Sequence, residues 1–594
     1  MTFDQTAILS ILVVVLGLFL WGKWRYDIVA LTALFTSVLF GVVPDELIFS
    51  GFGHPATITV ALVLILSSGL AKSGAVERIA KLVDPIASIP PLHTAALIFI
   101  VAFFSMFMNN VGALALLMPV AIQSTIKAGR SPGTILMPLS FGSILGGMVT
   151  LIGTPPNIII ASYRYKILNK PFEMFDFAPV GGTVTLVGLL FIVLIGWRLV
   201  KIRKSTSGLE LFDIEGYLFE VKVPQDSPLT EINISELEKI LFKSDIGLVS
   251  LIHKNQKYPI APKKHQLTAN DLLLLEASQE DIDKFVSKYN LDLVGADSAR
   301  DAILHSKDTI AMEAVVAPGS RIEGKTVEQI RFRHYLGVNL LAVSRQGKSY
   351  HGRLREFKFN AGDAILIHGE EEYVEDVISK LGCYPLAERT LEFGKRKLMI
   401  PSIAIFVSAI ALAVFGIIPI QLSLGIAVVA MALMDIIPVR DLYKSVDWSV
   451  IVLLGAMIPV GNALEHTGAT RLLADLLIKS SGNVPVIVTL AIILIITMTL
   501  SDILNNAATA ILMAPIAKSV AEVFGASPDP FLMAVAIGSS CAFLTPIGHQ
   551  NNALILGPGG YQFGDYWRMG LPLEIIIVAV AVPIIPIFWP LFPV

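Results

Sequence analysis

Two asparagine pairs and two broken phrases are the residues in this chain whose type and spacing suit the capture of a small charged solute. Asn109-Asn110 opens "NNVGALALLMPVA" and Asn505-Asn506 opens "NNAATAILMAPIA", with a matched proline, Pro119 or Pro515, inside each. "TLIGTPPN" occupies Thr150–Asn157 and "TPIGHQNN" occupies Thr545–Asn552. Charge is missing around them. No Asp, Glu, Lys or Arg occurs from Pro85 to Ile126 or from Ser131 to Tyr163. In the later copy, 484–517 holds only Asp502, and 531–564 holds no charged side chain besides the ionisable His549. A site without Lys or Arg must bind an anion through dipoles and bound cations: freed N–H groups and helix N-termini face the anion, and freed carbonyls hold Na⁺. Asparagine amides both donate and accept, so they suit either partner.

The elements that must hold these residues are membrane helices. Of 594 residues, 54% are hydrophobic and 16% charged, where a soluble chain is about a quarter charged. Mean hydropathy is +0.70. About twenty apolar residues cross a hydrocarbon core of roughly 30 Å, and such runs lie near 6–22, 26–43, 56–72, 133–162, 177–197, 398–416, 420–438, 448–464, 529–556 and 570–592. The stretches 92–126 and 484–517 exceed one span but are short for two, which fits hairpins that dip in and return. The first run has no basic residues before it and no small-residue cleavage site, so it reads as a first span rather than a cleaved signal. Non-helical backbone at membrane depth survives only where protein or water satisfies it, which singles out the broken phrases.

Order and charge divide the chain in two. "KSGAVERIA" at 72–80 parallels "HTGATRLLA" at 466–474, "SFGS" at 140–143 parallels "AIGS" at 536–539, and "DFAPVG" parallels "DYWRMG". Placing Lys23, Arg25, Arg78, Lys81, Lys127, Arg130, Arg198, Lys201, Arg203 and Lys204 in the cytoplasm sets the N-terminus outside. The later half then starts inside at Lys395-Arg396-Lys397. The expected fold is an all-α polytopic membrane protein of two inverted repeats, each of five spans plus a re-entrant hairpin. Inverted repeats with broken helices are the mark of secondary transporters, and each repeat would supply half of one site. Most charged residues lie between about 201 and 400, in a block with no spanning run. That soluble α+β insert is itself duplicated: "YLFEVKVPQDSPLTEINISEL" with "TANDLLLLEASQEDIDKF" matches "MEAVVAPGSRIEGKTVEQI" with "NAGDAILIHGEEEYVEDV" in strand-like alternation. The expected domains are 1–204 (first repeat), 205–300 and 301–394 (two insert domains) and 395–594 (second repeat). The two cysteines, Cys383 and Cys541, give neither a disulfide framework nor a zinc spacing, and no transition metal is expected. No nucleophile–base pair, phosphate loop or potassium-filter sequence appears, so neither an enzyme nor a channel is expected.

These motifs resemble known families. The two insert copies, about 212–292 and 310–388, resemble the regulatory TrkA-C (RCK-C) module of potassium transport proteins, through strand pattern and the "AND"/"AGD" turn. The membrane part resembles the divalent anion:sodium symporter family of the ion transporter superfamily. Its tips carry Ser-Asn-Thr and its broken helices Thr-Pro-Pro-Asn or a variant. "TPIGHQNN…GPGGYQFGDYWRMGLPL" is most similar to the branch with RCK-C inserts, which includes bacterial and algal sulfate permeases. The resemblance implies sodium binding by Ser105, Asn110 and Gly153 in one repeat and by Ser501, Asn506 and Gly548 in the other. It implies substrate binding by Asn109, Asn110, Thr154, Pro155, Asn505, Asn506 and His549. It further implies sodium-coupled symport by an elevator-type alternating-access mechanism, Na⁺ as the co-transported ion, a homodimer in the plasma membrane among lipid, and cytoplasmic RCK-C domains with an unnamed effector. Nucleic acid is not an expected partner.

Departures from that pattern shape the substrate expectation. Asn109 and Asn505 replace the family's tip serine, and Val111 and Ala507 its tip threonine. Losing both hydroxyls disfavours a dicarboxylate. His549, Gln550 and Asn551 stand where the first repeat has Thr-Pro-Pro and offer donors to a small oxyanion, so sulfate is the first choice and a dicarboxylate the alternative. His549 is open to a second reading, a packed neutral imidazole. Asp502 has Met106 as its counterpart. It completes a sodium site, carries a proton in a sodium/proton antiporter, or caps toward water.

Overall fold

A computed structural model of the chain describes residues 1–21, 24–73, 83–86, 88–201, 218–244, 246–254, 256–258, 265–277, 279–295, 309–332, 336–345, 348–350, 354–386, 396–481 and 484–592. The expected domain boundaries, basic residues Lys23, Arg78, Lys81, Arg203, Lys204 and Lys395, and most of "KSGAVERIA" lie outside them. Among the described residues, four helices are long and apolar enough to cross a membrane: Asn110–Lys127, Ala178–Leu199, Trp448–His466 and Trp567–Phe588. Seven shorter apolar helices accompany them, including Phe3–Phe19, Tyr26–Leu39, Leu398–Val414 and Ile420–Leu433.

Both long apolar stretches fold as hairpins. Helix Pro90–Ser105 returns as Asn110–Lys127, and helix Val486–Ser501 returns as Asn506–Val523. The asparagine pairs explain the turns. Asn109 and Asn505 are N-caps whose side chains accept from the amides of Val111 (3.1 Å) and Ala507 (2.9 Å). These contacts satisfy donors that a helix start leaves open. The broken phrases behave as the sequence predicts. Helix Leu136–Gly147 stops and resumes as Pro155–Leu168, and Pro528–Ser540 stops and resumes as Gln550–Leu556. Pro155 sits at the first helical turn, where a missing N–H costs nothing. The amphipathic helix Ala469–Ser481 carries "ATRLLA" and was not among the expected spans.

The insert is two copies of one five-stranded antiparallel sheet. The strands are β1 (Leu218–Lys222), β2 (Gly247–His253), β3 (Gln256–Tyr258), β4 (Leu272–Glu276) and β5 (Asp292–Gly295), then β6 (Thr309–Val316), β7 (Asn339–Arg345), β8 (Lys348–Tyr350), β9 (Ala364–Glu370) and β10 (Cys383–Pro385). The order β3-β2-β4-β1-β5 is repeated by β8-β7-β9-β6-β10. Even the register irregularity recurs, at Leu248/Ser250 and Leu340/Ala342. Each sheet buries one face against its own helices, around Val221, Leu251, Leu273 and Phe285 in the first copy and Ala314, Val343, Ile365 and Val377 in the second. Residues of alternate parity, including Leu274, Val315, Ala364 and Leu366, join the apolar cluster of the membrane helices. Period-two alternation therefore supplies two buried faces rather than one buried and one wet.

The second copy touches the membrane part through backbone. Gly362, with φ +85°, lies against the Ala553 carbonyl, and a Cβ on Gly557 would strike the Gly362 oxygen. Burial raises the Glu313 carboxyl on β6 from 4.5 to about 7. The folded state thus holds a proton that the unfolded chain releases, so stability falls as pH climbs from about 4.5 through 7 and is flat above. Glu313→Gln is expected to remove that slope and to stabilise the insert at pH 8 by up to about 3 kcal/mol. Urea midpoints at pH 5.5 and 8, read from exposure of the buried Cys383 thiol, check this, because equal slopes in both proteins would refute it.

Candidate functional site

The two hairpin tips build the same cluster of neutral oxygens. Ser105 Oγ lies 2.7 Å from Asn110 Oδ1, 2.7 Å from the Ser143 carbonyl and 3.2 Å from Ser143 Oγ. Ser501 Oγ lies 3.0 Å from Asn506 Oδ1 and 2.6 Å from the Ser539 carbonyl. Ser143 and Ser539 close "SFGS" and "AIGS", whose parallel is visible in sequence without its purpose. Ser105 and Ser501 are fully buried; Asn110 and Asn506 nearly so. The glycines of the broken phrases press onto these clusters. A Cβ on Gly153 would meet the Ser105 carbonyl at 2.9 Å, and one on Gly548 would meet the Ser501 carbonyl at 2.7 Å. Only a residue without a side chain brings backbone that close.

The phrases are pinned alike. Thr150 Oγ1 donates to the Met106 carbonyl and Thr545 Oγ1 to that of Asp502 (2.6 Å). Asn157 Nδ2 donates to the Thr150 carbonyl at 2.9 Å and Asn552 Nδ2 to that of Thr545 at 3.1 Å. The final Asn of each phrase therefore ties the break to its own start. Arg164 grips Asp529 with two bonds of 2.7 Å, fixing helix Pro155–Leu168 to helix Pro528–Ser540.

The halves meet crosswise. Helix Asn506–Val523 packs on Pro155–Leu168, and Asn110–Lys127 packs on Gln550–Leu556. Asn110 Nδ2 lies 3.3 Å from His549 Nε2, and Asn551 Nδ2 donates to the Asn110 carbonyl at 3.3 Å. His549 Nδ1 accepts from the Asn551 amide at 3.1 Å, which leaves the ring proton on Nε2, facing Asn110. Hydrogen bonding then decides the Asn110 amide. One serine proton serves only one acceptor, so Ser105 donating to the Ser143 carbonyl needs an N–H from Asn110, and His549 Nε2–H needs its oxygen. With no cation, the amide is satisfied with oxygen toward His549; a cation among the serine oxygens would hold the amide oxygen inward, leaving the Asn110 N–H₂ and the His549 Nε2–H as two donors side by side.

Other expected residues are placed as follows. Thr154 is buried and its Oγ1 has no hydrogen-bond partner among the described residues. Pro155 begins its helix at partial exposure. Asn109 and Asn505 give their side-chain oxygens to the caps. Asp502 Oδ1 accepts from the Leu544 amide at 2.9 Å and is 3% exposed, which leaves no room for a cap toward water. Its carboxyl adjoins that of Glu574, from helix Trp567–Phe588, beside the Phe543 amide. Sequence reasoning missed Glu574, although a lone carboxylate in an apolar run was signal enough. Adjacent buried carboxyls require a cation, a proton or sodium, between them.

Apolar helices, polar clusters at duplicated broken elements and a sheet-bearing insert are features of an integral membrane transporter, and the family match agrees. The chain belongs to the CitMHS family, described as citrate transporters, whose model matches residues 16–538; it falls among the divalent anion:sodium symporters that its motifs resemble. An uncharacterized transporter of Synechocystis sp. is 30% identical over 580 residues, 96% of this chain and 94% of that one. Another, from Escherichia coli, is 28% identical over 610 residues, 98% and 99% of the two chains. Sodium/sulfate cotransporter 2 of Chlamydomonas reinhardtii is 26% identical over 349 residues, 55% of this chain and 39% of that one. Among solved structures, the RCK domain of GsuK covers 29% of this chain and 65% of that chain at 11% identity, with a TM-score of 0.14.

Proposed function

We propose that this protein is a sodium-coupled symporter of a small divalent anion, sulfate first, driven by alternating access of two inverted halves. The observation that carries the reading is the Ser–Asn–carbonyl cluster, made twice and joined to the opposite half through His549. Each cluster offers neutral oxygens of the kind that replace a sodium hydration shell. Sodium in the first cluster turns the Asn110 oxygen inward and its N–H₂ outward, so cation binding creates a donor for the anion. Relatives named as sodium/sulfate cotransporters support the substrate class.

Coupling follows from the energetics. Bringing a dianion into an interior-negative cell costs about 4.6 kcal/mol per 100 mV, at about 2.3 per charge. Two sodium ions cancel that term. The insert, on this reading, lies in the cytoplasm of a plasma-membrane homodimer and regulates transport through Gly362. A second reading, sodium/proton exchange, is favoured by one observation, the Asp502–Glu574 carboxyl pair.

Proteoliposomes loaded by an inward sodium gradient are expected to accumulate labelled sulfate, and a choline gradient to give background. Equal uptake in both media would overturn sodium coupling. Sodium flux that follows pH with no anion present would replace symport with exchange.

A further inference from the structure

We propose that the first insert domain carries a site for a divalent transition metal, zinc or a near relative, made by His253, His265 and Asp271. Their ligand atoms all lie within 4.8 Å of one another. His253 Nδ1 is 2.7 Å from Asp271 Oδ1, and His265 Nε2 is 3.8 Å from Asp271 Oδ2. The rings meet edge to face at 4.8 Å between centroids. Asp271 is 2% exposed, while the imidazoles are 18% and 19% exposed, which leaves a way in from solvent.

One atom stands out. His265 Nε2 is buried and makes no hydrogen bond among the described residues, a state that costs free energy unless a partner arrives. Two imidazoles and a carboxylate form the donor set of open zinc sites, with metal–ligand bonds of about 2.0–2.2 Å. Bonds of that length set ligand atoms roughly 3–3.5 Å apart, so side-chain shifts of about 1 Å close the site. Binding would take the place of the proton now shared by His253 and Asp271. Solvent would fill the remaining position.

The second domain shows what the position does when no metal is needed. Arg345 ends β7 as His253 ends β2, and Asp363 precedes β9 as Asp271 precedes β4. Phe357 precedes the bridge residue Lys358 as His265 precedes Gln266. There Arg345 clasps Asp363 with two bonds of 2.7 Å and lies over the Phe357 ring at 4.5 Å. Both aspartates hold the same turn, Asp271 through the Thr268 amide (2.8 Å) and Asp363 through the Asn360 amide (2.7 Å). The second copy thus locks its turn with a permanent cation. The first has two histidines where the second has Arg and Phe, so a bound metal ion can take the place of that permanent cation. This assignment stands whether or not the transport reading does.

The test uses full-length protein in detergent without a polyhistidine tag. His253→Arg/His265→Phe gives the first domain the set that already folds in the second, so loss of metal cannot be ascribed to misfolding. After equilibrium dialysis against Zn²⁺, wild type is expected to retain one equivalent more than the double variant. Co²⁺ is expected to give a visible ligand-field band in wild type alone. Equal zinc content in the two proteins, or no cobalt band in wild type, would overturn the site.

Discussion

Asn110→Ala and Asn506→Ala should each lower sodium-dependent sulfate uptake by about 100-fold, the loss of one strong polar contact worth about 2–3 kcal/mol. Each removes the one amide in its oxygen cluster. In the first half the change also leaves Ser105 and His549 facing a void. Asn109→Ala and Asn505→Ala supply the contrast. They delete helix caps worth about 1 kcal/mol and should reduce expression or thermal stability more than the turnover of protein that reaches the membrane. Uptake is scored per transporter at the surface, with sodium titrated. If the Asn110 or Asn506 variants transport normally, the duplicated clusters are packing features and the site lies elsewhere. If they fail but recover in high sodium, the amides serve the cation rather than the anion.

That contrast also separates what was legible from what was not. The asparagine pairs, the matched prolines and the broken phrases were readable because a hairpin tip and a helix break each need particular residues locally. The insert's doubling was readable for the same reason, since strand alternation and the "AND"/"AGD" turn repeat. Adjacent asparagines look interchangeable in sequence, yet the structure makes one a cap and the other a cluster member. Ser143 and Ser539 were visible as parallels, but their carbonyls meet the tip serines only when the helix packs beside the tip. His253, His265 and Asp271 have no metal-motif spacing. His253 and Asp271 converge because antiparallel pairing sets Ile252 of β2 opposite Leu272 of β4, and His265 joins them beside the Asn233–Gln266 bridge; register is a tertiary fact. Glu574 was legible and overlooked.

Gly362→Asn should change the maximal rate of sulfate uptake by at least about threefold, roughly 0.6 kcal/mol in barrier, while leaving the insert folded. The turn at this point demands a left-handed residue, and the first copy shows that asparagine serves, since Asn270 holds the equivalent place at φ +75°. The substitution therefore keeps backbone strain small. Its effect falls on the neighbour, because the new Cβ would lie 2.4 Å from the Ala553 carbonyl oxygen and has to displace it, with Leu556 in contact alongside. Those residues belong to helix Gln550–Leu556, seven residues and about 10 Å long. Its other end is capped by His549, which touches Asn110. A short rigid helix thus joins the insert to the proposed site, and movement at one end must tilt or shift the other. Uptake at saturating sodium and sulfate, in wild type and Gly362→Asn at matched surface density, measures the link. Unchanged kinetics in a variant whose turn has left Ala553 would make the insert a passive module. Total loss in a correctly inserted protein would mean that the docked turn holds His549 in place and that the insert is part of the site.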